Sequence, residues 1–258
     1  MIKSPPFGPW ATHATFSPSS SVSMRPVLPV ATIGWDRETD TFEMGQWLAG
    51  RIYEHRSDLS PDGRYMVCFA GKGGMRWWTA VSRAPWLSAL AFWPQDHTWG
   101  GGGAFAADGA LWLNGGRLGA DEVPGLAPAD PAAYPQSTDG FHMGGTFVAM
   151  MQLRGWRYDG GEGYDARLLR DLGNGWRVAL TFAVGQKNRS ILSHCYALEQ
   201  PAAGRRIALP DWEWADTWKG AVQFAARGAL WATPADAAEG IGPIRQIRDF
   251  TAMQPEWR

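Results

Sequence analysis

Short apolar runs broken by tight polar turns recur along the chain, with the two-residue period of strands rather than the longer period of helices. The segment Arg56–Phe69 reads RSDLSPDGRYMVCF, Gly102–Leu113 reads GGAFAADGALWL, and Gly220–Trp231 reads GAVQFAARGALW. Each is an apolar run, a two-residue turn ending in glycine, and a second apolar run. Leu172–Val178, LGNGWRV, is a looser fourth copy. The arginine-rich run before it could make two helical turns or a strand, and the Asn174-Gly175 pair favours the hairpin. No stretch alternates strand with a long amphipathic helix, so a parallel α/β fold is not expected.

The turn glycines Gly63, Gly109, Gly175 and Gly228 stand 46, 66 and 53 residues apart. A propeller blade takes about 40–50 residues. The longer gap holds Phe141–Phe147, FHMGGTF, which is similar to His97–Phe105, HTWGGGGAF. A further partial blade is expected there. The pattern therefore predicts an all-β fold, a small β-propeller of five blades, because one blade cannot bury both its faces alone. Residues 1–25, rich in Ser, Pro and Thr, read as an irregular N-terminal arm, and 26–258 as a single propeller domain. Ring closure predicts that Val27–Trp35 and Ile244–Phe250 share a blade or lie in adjacent blades.

Composition fits this picture. The chain has 258 residues, 45% hydrophobic and only 19% charged, with 32 Gly, 18 Pro and 16 Trp. Turn formers and aromatics in that abundance suit short strands and tight turns. The formal net charge of −1 gives no field to recruit nucleic acid or an anionic membrane surface. No run is long enough for a membrane span and no signal-peptide core opens the chain, so a cytoplasmic location is expected. Cys68 and Cys195 make no disulfide framework and read as buried free thiols.

The phrase Leu59–Tyr65, LSPDGRY, resembles the strand–turn–strand signature of TolB-like propeller repeats. The longer runs Gly50–Gly63, Trp78–Trp86 and Leu209–Asp216 are similar to an uncharacterised bacterial family of single-domain, propeller-like proteins, over roughly residues 27–257. The resemblance implies the fold and brings no catalytic residues with it.

Candidate chemistry is sparse. His55, His97, His142 and His194 recur at 42, 45 and 52 residues, but they stand at different distances from their turns, which speaks against a symmetric metal ring. Asp58, Asp139, Asp165, Asp211, Glu213 and Asp216 are carboxylates that could work in pairs. Gly71–Gly74 and Gly100–Gly103 match no phosphate-binding loop and read as a hairpin loop and a crowded strand. No cofactor fingerprint is present. Arg51, Arg56, Arg83, Trp78 and Trp86 form the best group of binding anchors, since Trp and Arg dominate such sites. Segments entering the inner strands should meet at one mouth of the channel. They offer Arg56, Asp58, His97, Trp99, His142, Trp212 and Asp216 as binding residues. The functional expectation is a non-enzymatic binding module or protein-interaction scaffold, whose partner is a protein or a small polar ligand. The alternative is a carbohydrate-active hydrolase or lyase with paired carboxylates in the central funnel.

Overall fold

The computed structural model describes residues 10–11, 29–73, 76–115, 123–130, 143–161, 166–184 and 192–255. They form antiparallel sheets, each built from strands consecutive in sequence, and one α-helix. The chain folds as two compact units, the first containing the described residues through Leu153 together with Pro255, the second running from Arg154 to Gln254.

In the first unit, β1 (Trp10–Ala11), β2 (Val30–Asp36) and β3 (Thr41–Leu48) make one sheet. The short β1, inside the segment read as an irregular arm, pairs Ala11 with Trp35. In the second sheet, β4 (Arg51–Ile52) and β5 (Asp58–Leu59) both pair with β6 (Tyr65–Lys72), followed by β7 (Arg76–Arg83) and β8 (Ala89–Gln95). The third sheet pairs β9 (Gly103–Phe105) with β10 (Leu111–Leu113). The Pro-rich stretch after β10 is pinned alongside it, with Leu111 N–H donating to the Ala127 carbonyl and Ala129 N–H to that of Leu111.

The order of these layers follows from β6. Its run YMVCFAG is buried throughout, as expected of a strand covered on both faces. Tyr65 and Val67 pack with Phe105, Leu111 and Leu113, while Cys68 and Ala70 pack with Val30 and Ile52. The second sheet is thus sandwiched between the first and the third. β8 closes the second sheet as an edge strand carrying Pro94, and it exposes Leu90 and Phe92 while Ala91 and Trp93 pack inward.

The expected partial blade around Phe141–Phe147 is corrected here. Phe141 and His142 lie outside the described residues, and Met143–Leu153 is the helix α1. Its MGGTFVAMMQL run is rich in helix formers after the Gly pair, and Thr146 and Met150, one turn apart, are both buried. Met150 packs against Ala104, Trp112 and Ala129, so α1 covers the far face of the third sheet.

In the second unit, β11 (Arg157–Gly160), β12 (Arg167–Asp171), β13 (Arg177–Val184), β14 (Leu192–Gln200) and β15 (Arg205–Leu209) form a meander. The segment left open between helix and strand is therefore a hairpin, Leu168 opposite Leu180. The last sheet runs β16 (Trp212–Trp218), β17 (Ala221–Ala226), β18 (Ala229–Pro234) and β19 (Arg245–Asp249). Tyr196 leans on Trp212, which stacks on Phe224 with centroids 4.0 Å apart. Glu199 sits among Arg167, Arg177 and Arg206. Burial pulls its carboxyl upward, and hydrogen bonds from Arg177 and Arg167 outweigh that and hold it below the usual range. β2 and β19, the two runs expected to close a ring, belong to different sheets.

The repeated turn has one hydrogen-bond plan at three positions. Gly63 N–H donates to the Ser60 carbonyl and Gly109 N–H to the Ala106 carbonyl, at 2.8 and 2.9 Å. The side-chain oxygen before each turn glycine accepts the N–H two residues on: Asp62 from Arg64, Asp108 from Ala110, Asn174 from Trp176. This is the local bond for which Asp and Asn are selected in turns. The glycines hold φ of 71°, 87° and 85°. The copy at Gly220–Trp231 differs: Arg227 and Gly228, both at positive φ, form a two-residue turn between Ala226 and Ala229. A Cβ built on Gly109 meets nothing within 4 Å, so Gly109→Ala carries only the left-handed backbone cost. It is expected to lose about 1–2 kcal/mol in denaturant unfolding. Gly73, equally open but without positive φ, should tolerate alanine within about 0.5 kcal/mol.

The cysteine expectation is half corrected. Cys68 is buried, whereas Cys195, next to buried Tyr196 on β14, is exposed. Burial pushes the Cys68 thiol up to about 12. A thiol reagent at neutral pH should titrate one group rapidly in the folded chain and the second only on unfolding; two fast groups would contradict the packing of β6.

Candidate functional site

Residues 53–58 were expected to reach a surface, and the structure buries two of their candidates instead. A 3₁₀ turn at Glu54–Arg56 points Arg56 inward. Arg56 is 1% exposed, and its Nη1 donates to the carbonyls of Thr98 at 2.6 Å and Gly100 at 2.9 Å. The guanidinium lies 5.0 Å from the Phe69 ring centroid. Asp58, 4% exposed, accepts the N–H of Leu59 through one oxygen and that of Phe105 through the other, both at 2.8 Å. The two side chains bind the second sheet to residues 98–105. Gly102 lets this happen: a Cβ there would lie 2.0 Å from the Arg56 carbonyl oxygen. The glycine run is crowded, as expected, but only Gly103 lies in a strand, and Gly101 and Gly102 hold positive φ.

His97 and Trp99 flank the same segment and face outward, Trp99 being 58% exposed. His55 is buried against Phe147, while His194 meets the Glu213 carbonyl and Tyr196. His142, Asp139 and Asp165 lie outside the described residues. Among the described residues no group of three or more His, Cys, Asp or Glu could hold a metal ion. Trp212 is buried in its stack, and Asp216 is half-buried on the same strand, opposite Gln223. Within the first unit the structure thus brings Arg56 and Asp58 to residues 97–105. Within the second, Trp212 and Asp216 share β16.

Two clefts remain. In the second unit a space of about 360 Å³ lies among Leu209, Trp212, Phe224, Trp231 and Ile244, with the Arg227–Asp211 pair, 2.5 Å, at its edge. In the first unit a cleft of about 310 Å³ opens between β2–β3 and the corner joining β7 to β8. Its floor is Ile33, Trp35 and Met66, and its polar lining is Glu43, Arg64 and Arg83.

The second cleft is rigidly framed. Pro85 sits so close to β3 that a Cβ on Gly45 would fall 2.2 Å from its carbonyl oxygen. Leu87 N–H donates to the Gln46 side chain at 2.6 Å, and Trp86 N–H to the Arg83 carbonyl at 2.8 Å. Trp86 is held at the rim, 42% exposed. Arg64 and Arg83 both place their guanidinium carbons over the Tyr65 ring, at 5.5 and 5.6 Å. Arg64 stands 3.7 Å from Asp62, and among the described residues Arg83 has no carboxylate partner.

No family model, no curated protein and no solved structure matches this chain. The site must be read from its own geometry. Arg83 and Trp86 stood in the group of anchors visible in the sequence. Glu43 and Arg64 did not, and the signal for Arg64 was its place beside Tyr65, which pairs with Arg83 across the β6–β7 hairpin. No described helix is long and apolar enough to cross a membrane.

Proposed function

We propose that the chain is a non-enzymatic binding module that captures a small polar ligand in the cleft beneath Trp86. The observation that carries this reading is an exposed indole and an Arg83 guanidinium that meets no carboxylate among the described residues, both held on a rigid, apolar-floored corner. Preformed clefts with a few fixed polar groups are what ligand sites consist of, and a pre-ordered frame lowers the entropy cost of binding. Of the carboxylates that a carbohydrate hydrolase or lyase would need, Asp58 and Asp211 have other work. Asp58 holds two backbone N–H groups and Asp211 pairs with Arg227. Partial burial raises Glu213, opposed by a hydrogen bond from the Arg227 N–H; a single such group makes no acid–base pair.

The finer fold belongs to the same proposal: a small cytoplasmic propeller with five blades, related to the bacterial propeller-like proteins that the LSPDGRY turn resembles. Among the described residues, five antiparallel sheets, each of strands consecutive in sequence, and a recurring turn support it.

The test is co-purification. The full chain and its Arg83→Ala/Trp86→Ala variant are purified in parallel and their bound small molecules analysed by mass spectrometry. A species retained by the parent and lost by the variant, with Tm unchanged within about 2 °C, supports the cleft. Identical profiles from two folded proteins overturn it.

A further inference from the structure

Resting on that reading, we infer that the cleft selects a ligand joining an anionic head, carboxylate or phosphate, to a flat apolar body. The head is specified by Arg64 and Arg83. Both guanidiniums are exposed and laid over the one Tyr65 ring. Stacking on an aromatic face leaves the in-plane N–H groups of a guanidinium free, and these match carboxylate or phosphate oxygens in pairs. Among the described residues Arg83 has no carboxylate to displace, and Asp62, 3.7 Å from Arg64, already accepts the Ser60 hydroxyl and the Arg64 N–H through its other oxygen.

The body is specified by what adjoins the arginines. The Trp86 indole stands at the rim, Pro85 is fixed against Gly34 and Gly45, and Ile33 and Met66 form the floor. Flat apolar groups bury well against an indole and a proline ring. At about 310 Å³ the space suits one small molecule. Glu43 gives the cleft polarity. It lies on the β3 wall, makes no ion pair among the described residues, and repels an anion from that wall, so the head is directed to the arginines. An N–H or O–H on the body would find its acceptor there.

The full chain is titrated calorimetrically with 1-naphthyl phosphate, 1-naphthoate, 1-naphthol and inorganic phosphate. Both naphthyl anions are expected to bind at one site, at least ten times more tightly than naphthol or inorganic phosphate. Arg64→Gln/Arg83→Gln should weaken the anions tenfold or more and leave naphthol unchanged. Trp86→Ala should weaken every naphthyl probe, and Arg205→Gln, on the second unit, should change nothing. Naphthol binding as tightly as the anions, still dependent on Trp86, would overturn the anionic head while leaving the cleft a binding site. Anion binding unchanged in the double glutamine variant overturns it too. Failure of all four probes, together with loss of the Trp86-dependent co-purified species, would remove both readings.

Discussion

Arg56→Ala is expected to lower the unfolding free energy by about 3–5 kcal/mol, because two carbonyls lose their donor and the buried space over Phe69 empties. The carbonyls are those of Gly100, in a buried bond, and Thr98, in a partly buried one. Arg56→Lys should recover only part of the loss, since an ammonium lacks the flat guanidinium that lies over the Phe69 ring. Gly102→Ala attacks the same junction from the other side. Its Cβ would strike the Arg56 carbonyl, and its backbone holds φ of +79°. Denaturant titration checks both variants. A channel-mouth role for Arg56 demands a different result, a stable protein that has lost its ligand.

Trp176→Ala should be nearly as costly, about 3–5 kcal/mol for a large buried side chain. Trp176 is 1% exposed, donates its indole N–H to the Ala238 carbonyl at 3.0 Å, and lies under the Arg205 guanidinium. Gly240 packs so close to the ring that a Cβ would approach it to 2.9 Å. Asn174 holds the same segment through the carbonyls of Ala235 and Ala237. Removal of the indole therefore frees residues 235–240 as well as opening a cavity. Denaturant unfolding should register the loss, and limited proteolysis should cut first within that segment. Resistance there, with stability intact, would refute the packing. Trp86→Ala serves as the contrast: its indole sits at a rim, and its removal should change stability by no more than about 0.5 kcal/mol.

The difference between these two tryptophans marks what the sequence could convey. Strand and turn were legible because they are local. Asp62-Gly63, Asp108-Gly109 and Asn174-Gly175 each carry within two residues both the positive φ and the hydrogen-bond acceptor that the turn uses. The continuous apolar run of β6 announced burial on both faces. The direction of Arg56 was not legible. It follows from a one-turn 3₁₀ segment and from the approach of residues 98–102, more than forty positions away. Helix α1 was hidden behind Gly144 and Gly145, whose likeness to the Gly100–Gly103 run outweighed the helical spacing of Thr146 and Met150. The cleft was half visible. Trp86 and Arg83 stood out as anchor types, whereas Glu43 joins them only through the packing of β3 on Pro85.

Edge strand β8 bears on how this protein behaves at high concentration. Exposed Leu90 and Phe92 on a strand with one open edge are the usual seed for edge-to-edge aggregation. Pro94 stands two residues beyond Phe92 and offers no N–H to an incoming strand, so any added ladder loses a rung beside its stickiest side chain. Pro94→Thr would restore that rung without disturbing the cleft. Its expected mark is a lower concentration threshold for turbidity on storage, with the unfolding midpoint of the monomer unchanged.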